Sequence, residues 1–438
     1  MENQEKMEKI VSWAKRRGFI YPQDEIYGGL NAIYNFGPYG SLMKNKLREE
    51  FLSQWVKKQP NIVGIESAII TKKETLQASG HEAGFTDPLI ECKKCHTRFR
   101  PDQVEKREVC PDCGSNDLTT TQEFNLMFRS FLGPVEDDNN KIYLRPENAQ
   151  GMFSSFGYIA DTMRVKLPFG IAQVGKCFRN EITARQFIFR LREFEISEIE
   201  YFVEPSTASK EYEKWIGQWE KYILSFGLSK ENLKRRAHQK KELAHYSQGT
   251  TDIEYKYPFG WGELAGIANR GDFDLAQHEK HSGQEMKFFI QETGKKITPY
   301  VIEPTLSLER LMLAIFCETY FESDGSDGRA KGERVLKIKP KFAPITLAVF
   351  PLMKKPELIK IAQEIFQDLA KDFSVEYDES GSIGRRYRRQ DEIGTPLCAT
   401  IDFDSLDDNC VTIRERDTMK QARVSRAELV EYIAKAVS

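Results

Sequence analysis

The chain has 438 residues, 40% of them hydrophobic, and a formal net charge of −2 from 64 basic and 66 acidic side chains. That length accommodates two or three domains, and the balance excludes a disordered polyion or a uniformly basic coat for nucleic acid. No apolar run approaches the roughly 20 residues of a membrane span. The charged opening MENQEKMEKIVSWAKRRG lacks an apolar signal region, so the expectation is a soluble cytoplasmic protein with no membrane partner.

In chain order, Glu5–Arg17 reads as an amphipathic helix, followed by the loop-like IYGGLNAIYNFGPYGS. Leu42–Lys57 returns to helical spacing, with Leu42, Leu47, Phe51 and Trp55 on one side, and Asn61–Ile70 reads as a buried strand. Residues 86–122 form a polar, cysteine-bearing insertion. Lys141–Leu144, Met163–Phe169, Ile171–Phe178 and Phe187–Phe202 are β-prone runs with little helix between them, which favours an antiparallel sheet. Lys210–Leu228 is a predicted helix with Tyr212, Trp215, Trp219 and Ile223 on its stripe, and Thr305–Tyr320 another, after the strand Tyr300–Glu303. Beyond about Phe342 strands alternate with helices, the pattern of a small separate α/β domain. The expected division is 1–340 and 341–438.

Two C-x-x-C turns, Cys92/Cys95 and Cys110/Cys113, stand 14 residues apart. Four thiolates at this spacing can surround Zn²⁺ tetrahedrally at about 2.3 Å and leave no open position, so the expected ion is structural. Four free thiols are the alternative. Cys177, Cys317, Cys398 and Cys410 are scattered, as reduced core thiols would be.

In CFRNEITARQFIFRLREFEISEIEYF, basic and acidic residues alternate through two β-prone runs, which would present Arg179, Glu181, Arg190 and Arg192 on one face. Guanidinium groups clamp phosphate oxygens bidentately, and Phe194 could stack on a base. An exposed salt-bridged hairpin explains the alternation equally well. The chain has no P-loop and no dinucleotide glycine motif, so a nucleotide would be held by side chains on strands. In VIEPTLSLERLMLAIF, Glu303 ends a strand and Arg310 lies early in the next helix. Both would face a cavity at the junction, unless this is a capped core helix with a surface Arg. Three basic runs, Lys234–Lys241, Lys331–Lys341 and Arg385–Arg389, could neutralise phosphates.

FRNE, a loop and R-x-x-x-F resemble motif 2 of the class II aminoacyl-tRNA synthetases. EPTLSLER before an apolar helix resembles motif 3, and Leu42–Ile70 the dimer-forming motif 1. Within that class, IYGGLNAIYNFGPYGSLMKNKL, ASGHEAGFTDP, YLRPENAQGMF and FGWGELAGIANRGDFDL resemble the dimeric glycyl-tRNA synthetase family across nearly the whole chain, and RRQDEIGTPLCATID…VTIRERDTMKQARV resembles its anticodon-binding domain.

The resemblance implies an α+β fold in which helices flank a catalytic antiparallel sheet, carrying a zinc-ribbon-like insertion and a C-terminal α/β anticodon-binding domain. It implies a homodimer that joins glycine to tRNA(Gly) through glycyl-adenylate, using ATP and Mg²⁺. On it, Arg179 and Arg310 are catalytic, Arg179 at the α-phosphate. The ATP site comprises Arg179, Asn180 and Glu181, the last at the adenine amino group, then Phe189, Arg190 (at the γ-phosphate), Leu191, Arg192, Glu193 and Phe194. Glu263, Leu264, Ser307, Leu308, Glu309 and Arg310 complete it, with adenine between Phe194 and Arg310. Glycine falls to Arg100, Glu147, Phe194, Glu198, Glu263, Glu303, Thr305 and Ser307, with Glu198, Glu263 and Glu303 around its ammonium. Arg385, Arg386, Arg388 and Arg389 are expected, from charge, to meet the anticodon. Buried carboxylates without a cation repel one another, so glycine is expected to relieve a strained acidic pocket. No amino acid is smaller than glycine, so exclusion by clash suffices and no editing domain is required. Thr305 stands where the family usually has Ser, Asn148 where it has Thr, and Ser307 and Glu309 where it tends to have Gly and Asp or Gly.

Overall fold

The structure is a computed structural model describing residues 2–101, 104, 106–183, 186–244 and 247–437. Ala184 and Arg185 of the expected motif 2 loop lie outside the described residues. Helix α1 (Glu2–Arg16) buries Ile10, Trp13 and Ala14. Helix α2 (Pro38–Phe51) starts with Pro at its first turn, where the missing N–H costs nothing, and continues as a wider turn over Leu52–Lys57 that buries Trp55. The strand expected over Asn61–Ile70 shortens to β1 (Ile62–Gly64), and Ile69 and Ile70 stay exposed. The insertion is an antiparallel sheet of β2 (Thr86–Glu91), β3 (Arg98–Phe99) and β4 (Gln122–Asn125), in the order β3-β2-β4. Helix α3 (Ala149–Ser154) follows.

Met163–Pro168 does not join the sheet, since Pro168 has no N–H to offer a ladder. Strand β5 (Phe169–Phe178) pairs antiparallel with β6 (Glu193–Val203). Helix α4 (Ala208–Ser225) packs Trp215, Trp219 and Ile223 inward, as its stripe predicts. The sequence reading leaves 233–271 without strands, yet three lie there: β7 (Leu233–Ala237), β8 (Gly249–Tyr257) and β9 (Gly260–Gly271). Helix α5 (Phe273–Ser282) precedes β10 (Tyr300–Ser307), which runs directly into helix α6 (Leu308–Thr319). Thr305–Ser307 are therefore strand, not helix: they pair with β6 on one side and β9 on the other, and the Ser307 hydroxyl caps α6 by accepting from the Arg310 N–H.

The main sheet runs β7-β8-β9-β10-β6-β5-β1, antiparallel except for the parallel β5/β1 edge. A core including Trp55, Trp219, Ile267 and Leu311 lies on the helical side. A second sheet joins β11 (Leu347–Pro351), β12 (Val375–Tyr377), β13 (Leu397–Ile401), β14 (Cys410–Glu415) and β15 (Gln421–Ser425), in the order β12-β11-β13-β14-β15. Helix α7 (Pro356–Leu369) buries Leu358 and Ile365 in this sheet's own core, with Ile433 of a C-terminal helix.

Gly40 fixes how the segment that follows α1 approaches α2. A Cβ there would overlap the Phe19 carbonyl oxygen, a backbone atom that cannot step aside. Gly40→Ala is expected to lower unfolding free energy by about 1–3 kcal/mol, the usual range for overpacking, read as a shifted midpoint in urea unfolding.

Candidate active site

A cavity of about 310 Å³ opens on the face of the main sheet away from α4, lined by β6, β8, β9 and β10, by the segment between β5 and β6 and by the start of α6. It gathers Glu147, Arg179, Glu181, Phe189, Arg190, Leu191, Phe194, Glu198, Glu263, Leu264, Glu303, Thr305, Ser307, Glu309 and Arg310. Arg100, Asn180, Arg192, Glu193 and Leu308, also expected at the site, do not line it. Arg100 pairs with Asp87 in the insertion. Arg192 donates to the carbonyls of Asn31 and Glu181, Glu193 takes Lys176 on the opposite sheet face, and Leu308 is buried in the core.

At one end, Arg310 lies 4.7 Å over the Phe189 ring, donates to the Phe189 carbonyl at 3.1 Å, and meets the Glu263 carboxylate at 3.0 Å. Arg310 in turn holds the Glu263 carboxyl below its ordinary pKa. Arg179 lies 5.5 Å from the Phe194 ring centre and donates to the Pro146 carbonyl, and Arg190 faces Glu181 at 3.5 Å. This end combines two aromatic rings with three guanidinium groups, the chemistry of a base with its phosphates.

The other end is acidic. Oxygens of Glu198, Glu200 and Glu303 lie within 4.8 Å of one another, all buried. The expectation of carboxylates without a cation needs correction. Arg270, 1% exposed, bonds Asp274 twice (2.7 and 2.9 Å), Glu303 at 2.7 Å and Glu147 at 3.6 Å. Burial opposes ionisation of Glu147, but His81, at 3.3 Å, and Arg270 hold its carboxyl well below the usual range. Glu198 is pushed well above that range, by burial first and then by Glu303 and Glu147. Burial and these neighbours oppose ionisation of Glu198, and Glu303 is raised as well despite Arg270, so a ligand cation placed between them would favour their charged forms. Asn148 presents Glu198: its N–H donates to the carboxylate at 3.0 Å while its amide holds the Ile196 carbonyl at 2.9 Å.

Sequence reasoning missed Arg270, Asp274, His81, His238 and Asp252. A lone Arg after a glycine-rich run gives no periodic signal, and only the neighbouring acids at Asp272 and Asp274 hint at its burial.

The Glu309 side chain does not turn into the nucleotide end. It takes Lys44 from α2 at 2.5 Å and the Glu195 N–H at 3.0 Å, and Lys44 also meets Glu195 at 3.0 Å. Since Glu309 precedes Arg310 and Glu195 follows Phe194, this buried bridge ties together the two segments that carry the nucleotide groups.

The insertion places the four cysteines as a cluster. Cys92 and Cys113 sulfurs are 3.6 Å apart, Cys95 and Cys110 3.5 Å, and all four lie within 4.8 Å. Tetrahedral Zn–S bonds of about 2.3 Å put sulfurs roughly 3.8 Å apart, so the donor set fits zinc. Each knuckle closes alike: the N–H four residues after the first Cys returns to that Cys carbonyl, and the residue after the second Cys, His96 or Gly114, adopts positive φ. His96 is exposed and faces Glu91, apart from the ligand set.

The basic runs are largely engaged in ion pairs. Lys234, Arg235 and Arg236 face Glu254, Glu220 and Glu242. Of the expected anticodon arginines, all lie on helix Ile383–Ile393. Arg386 is buried there and donates to the Pro351 and Leu352 carbonyls, so it is a structural group rather than a free cation. Arg388 pairs with Glu333 and Arg389 with Asp378, while Arg385 is exposed.

The family model for the tRNA synthetase class II core domain (G, H, P, S and T) matches residues 134–319. The model for the anticodon binding domain matches 346–436. The chain is 47% identical to a glycine–tRNA ligase of Acetivibrio thermocellus, over 99% of this chain and 98% of the relative. It is 46% identical to that of Bifidobacterium longum, over 98% and 93%. The fold is shared with a solved prolyl-tRNA synthetase from Cryptosporidium parvum, complexed with L-proline and AMP, at a TM-score of 0.64 and 15% identity, covering 98% of this chain and 77% of that one.

Replacing Lys44 with Met would strand the buried Glu309 carboxylate, while Glu195 keeps Arg48 at 2.6 Å. Lys44→Met is expected to cost about 3–5 kcal/mol in urea unfolding, with part of the loss recovered in Lys44→Met/Glu309→Gln.

Proposed function

We propose a mechanism from one premise: the chain belongs to the glycine–tRNA ligase family, with a class II core and an anticodon-binding domain. It is an aminoacyl-tRNA synthetase that activates glycine with ATP and transfers the glycyl group to the terminal adenosine of tRNA. The observation that carries the assignment of roles is one cavity with arginines and aromatic rings at one end and, at the other, a buried carboxyl whose ionisation a ligand cation would favour.

ATP enters as its Mg²⁺ complex, with adenine between Phe194 and Arg310 and its phosphates toward Arg179 and Arg190. The glycine ammonium lies at Glu198, beside Glu303, where its charge favours the ionised carboxylates. The glycine carboxylate then attacks the α-phosphorus in line, forming the mixed anhydride and releasing pyrophosphate. Arg179 stabilises the charge growing on the α-phosphate oxygens. A ribose hydroxyl of the terminal adenosine next attacks the glycyl carbonyl, expelling AMP. No enzyme nucleophile is needed, because orientation and fixed charge supply the acceleration. The Thr305 and Ser307 side chains, both on the cavity wall, occupy the space a larger amino acid would claim.

In the same reading, Cys92, Cys95, Cys110 and Cys113 hold a structural zinc ion that cross-links the two knuckles. The division between catalytic and anticodon-binding parts falls at residues 340 and 341, in the turn Pro340–Phe342. The chain works in the cytoplasm as a homodimer, for which the exposed apolar loop bearing Ile26, Tyr27 and Leu30 beside α2 offers a surface. Arg385 and Arg388, both exposed, are the arginines of the run placed for contact with tRNA.

Pyrophosphate exchange should depend on glycine, with alanine and serine supporting it at least a hundredfold less well. Arg310→Ala should abolish exchange while tRNA binding persists; exchange at the parental rate would remove Arg310 from the nucleotide site. Elemental analysis of the purified protein should find one zinc per chain, and Cys95→Ser should lose that metal and lower the melting temperature. Full metal content in the variant would refute the four-thiolate site.

A further inference from the structure

The outer strands of the main sheet supply a stretch of cavity wall that the base, phosphate and glycine contacts leave unused: His238, Glu242, Thr250 and Asp252. Two of these are committed elsewhere. Glu242 takes Arg236 at 2.7 Å and the Gln239 N–H at 2.9 Å, and the Thr250 hydroxyl meets that of Ser247 at 2.9 Å. His238 and Asp252 remain.

Their position follows from strand register. Asp252 on β8 stands opposite Gly266 on β9, Gly266 opposite Thr305 on β10, and Thr305 opposite Glu198 on β6. Directly opposed residues share a sheet face, and strands lie about 4.8 Å apart, so Asp252 stands roughly 10 Å from Thr305. Only Gly266 lies between. A Cβ there would stand 3.3 Å from the Thr305 hydroxyl and 3.8 Å from Asp252 Oδ1. The glycine thus leaves an open floor with the glycine-binding group on one side and the Asp252 carboxylate on the other. The second oxygen, Oδ2, takes His238 Nε2 at 2.7 Å and Arg236 at 3.5 Å. Asp252 Oδ1 borders the floor, and His238 Nδ1 makes no hydrogen bond among the described residues.

A carboxylate backed by an imidazole, facing a floor without side chains, suits a sugar carrying vicinal hydroxyls. Carboxylates accept from ribose hydroxyls in other nucleotide sites, and a 2′-hydroxyl can both donate and accept. We propose that His238 and Asp252 form a ribose-hydroxyl site, a reading that rests on the function proposed above. Two riboses visit this cavity, that of ATP and that of the terminal adenosine of tRNA, and both present the same hydroxyl pair.

The test uses the full chain with Asp252→Asn and His238→Ala, each first checked for a parental melting temperature. Glycine-dependent pyrophosphate exchange is measured with ATP and with 2′-deoxyATP. Single-turnover transfer from preformed glycyl-adenylate is measured with tRNA ending in adenosine or 2′-deoxyadenosine. Each variant should slow one step tenfold or more with the hydroxyl-bearing substrate and be indifferent to removal of the hydroxyl. An effect confined to exchange assigns the ATP ribose, and one confined to transfer assigns the tRNA ribose. Parental rates in both steps, or variants as sensitive to hydroxyl removal as the parent, would overturn the proposal. Absence of glycine-dependent exchange in the parent chain would instead defeat the reading of the whole cavity.

Discussion

The site depends on one buried cation. Arg270 brings Asp274, Glu303 and Glu147 to a single guanidinium, and without it a pocket of that acidity would not stay closed in a low-dielectric interior. The chain around it is built to hold this group still. Asp274 sits in the first turn of α5, and the Gln150 amide of α3 donates to Glu147 and Asp274 while its oxygen accepts from His278. The carboxylates that Arg270 meets act as framework, while Asn148 positions Glu198 to meet a substrate charge. Selectivity for a small ammonium-bearing ligand thus draws on buried carboxyls, Glu198 and Glu200 among them, whose ionisation burial and acidic neighbours oppose until a cation arrives.

A second buried ion cluster does for the nucleotide end what Arg270 does for the acidic end. Lys44 reaches from α2 across to Glu309 and Glu195, so α2, β6 and α6 share one point of reference. Glu309 directly precedes Arg310, so its bond to Lys44 fixes the start of α6 while the guanidinium lies over Phe189.

The elements with strong periodicity were legible in the sequence. The Trp215/Trp219 stripe marked α4, the β-prone runs marked β5 and β6, and the paired C-x-x-C turns came together as a four-sulfur cluster. The hairpin of β8 and β9 was not legible, because its glycines and charged residues read as loop, whereas in the sheet they keep the cavity floor low. Positive charge was read as exposure at Arg386, yet Arg386, Gln390 and Ile393 recur at helical spacing and are buried together. Likewise no local pattern distinguishes Arg270 from a turn residue. Its role appears only when Glu147, 123 positions earlier, and Glu303, 33 later, are folded against it.

The register across the main sheet has a kinetic implication. Gln173, Glu198, Thr305, Gly266, Asp252 and Arg236 form one continuous row, although they are drawn from six strands spread over residues 173–305. Nonlocal pairings of this kind close slowly, since the loop entropy is lost before the contacts are gained. No nascent fragment ending before β10 contains the row, whereas one that ends before the second sheet does. Bound nucleotide would therefore report maturation of the main sheet, ahead of the C-terminal part of the chain.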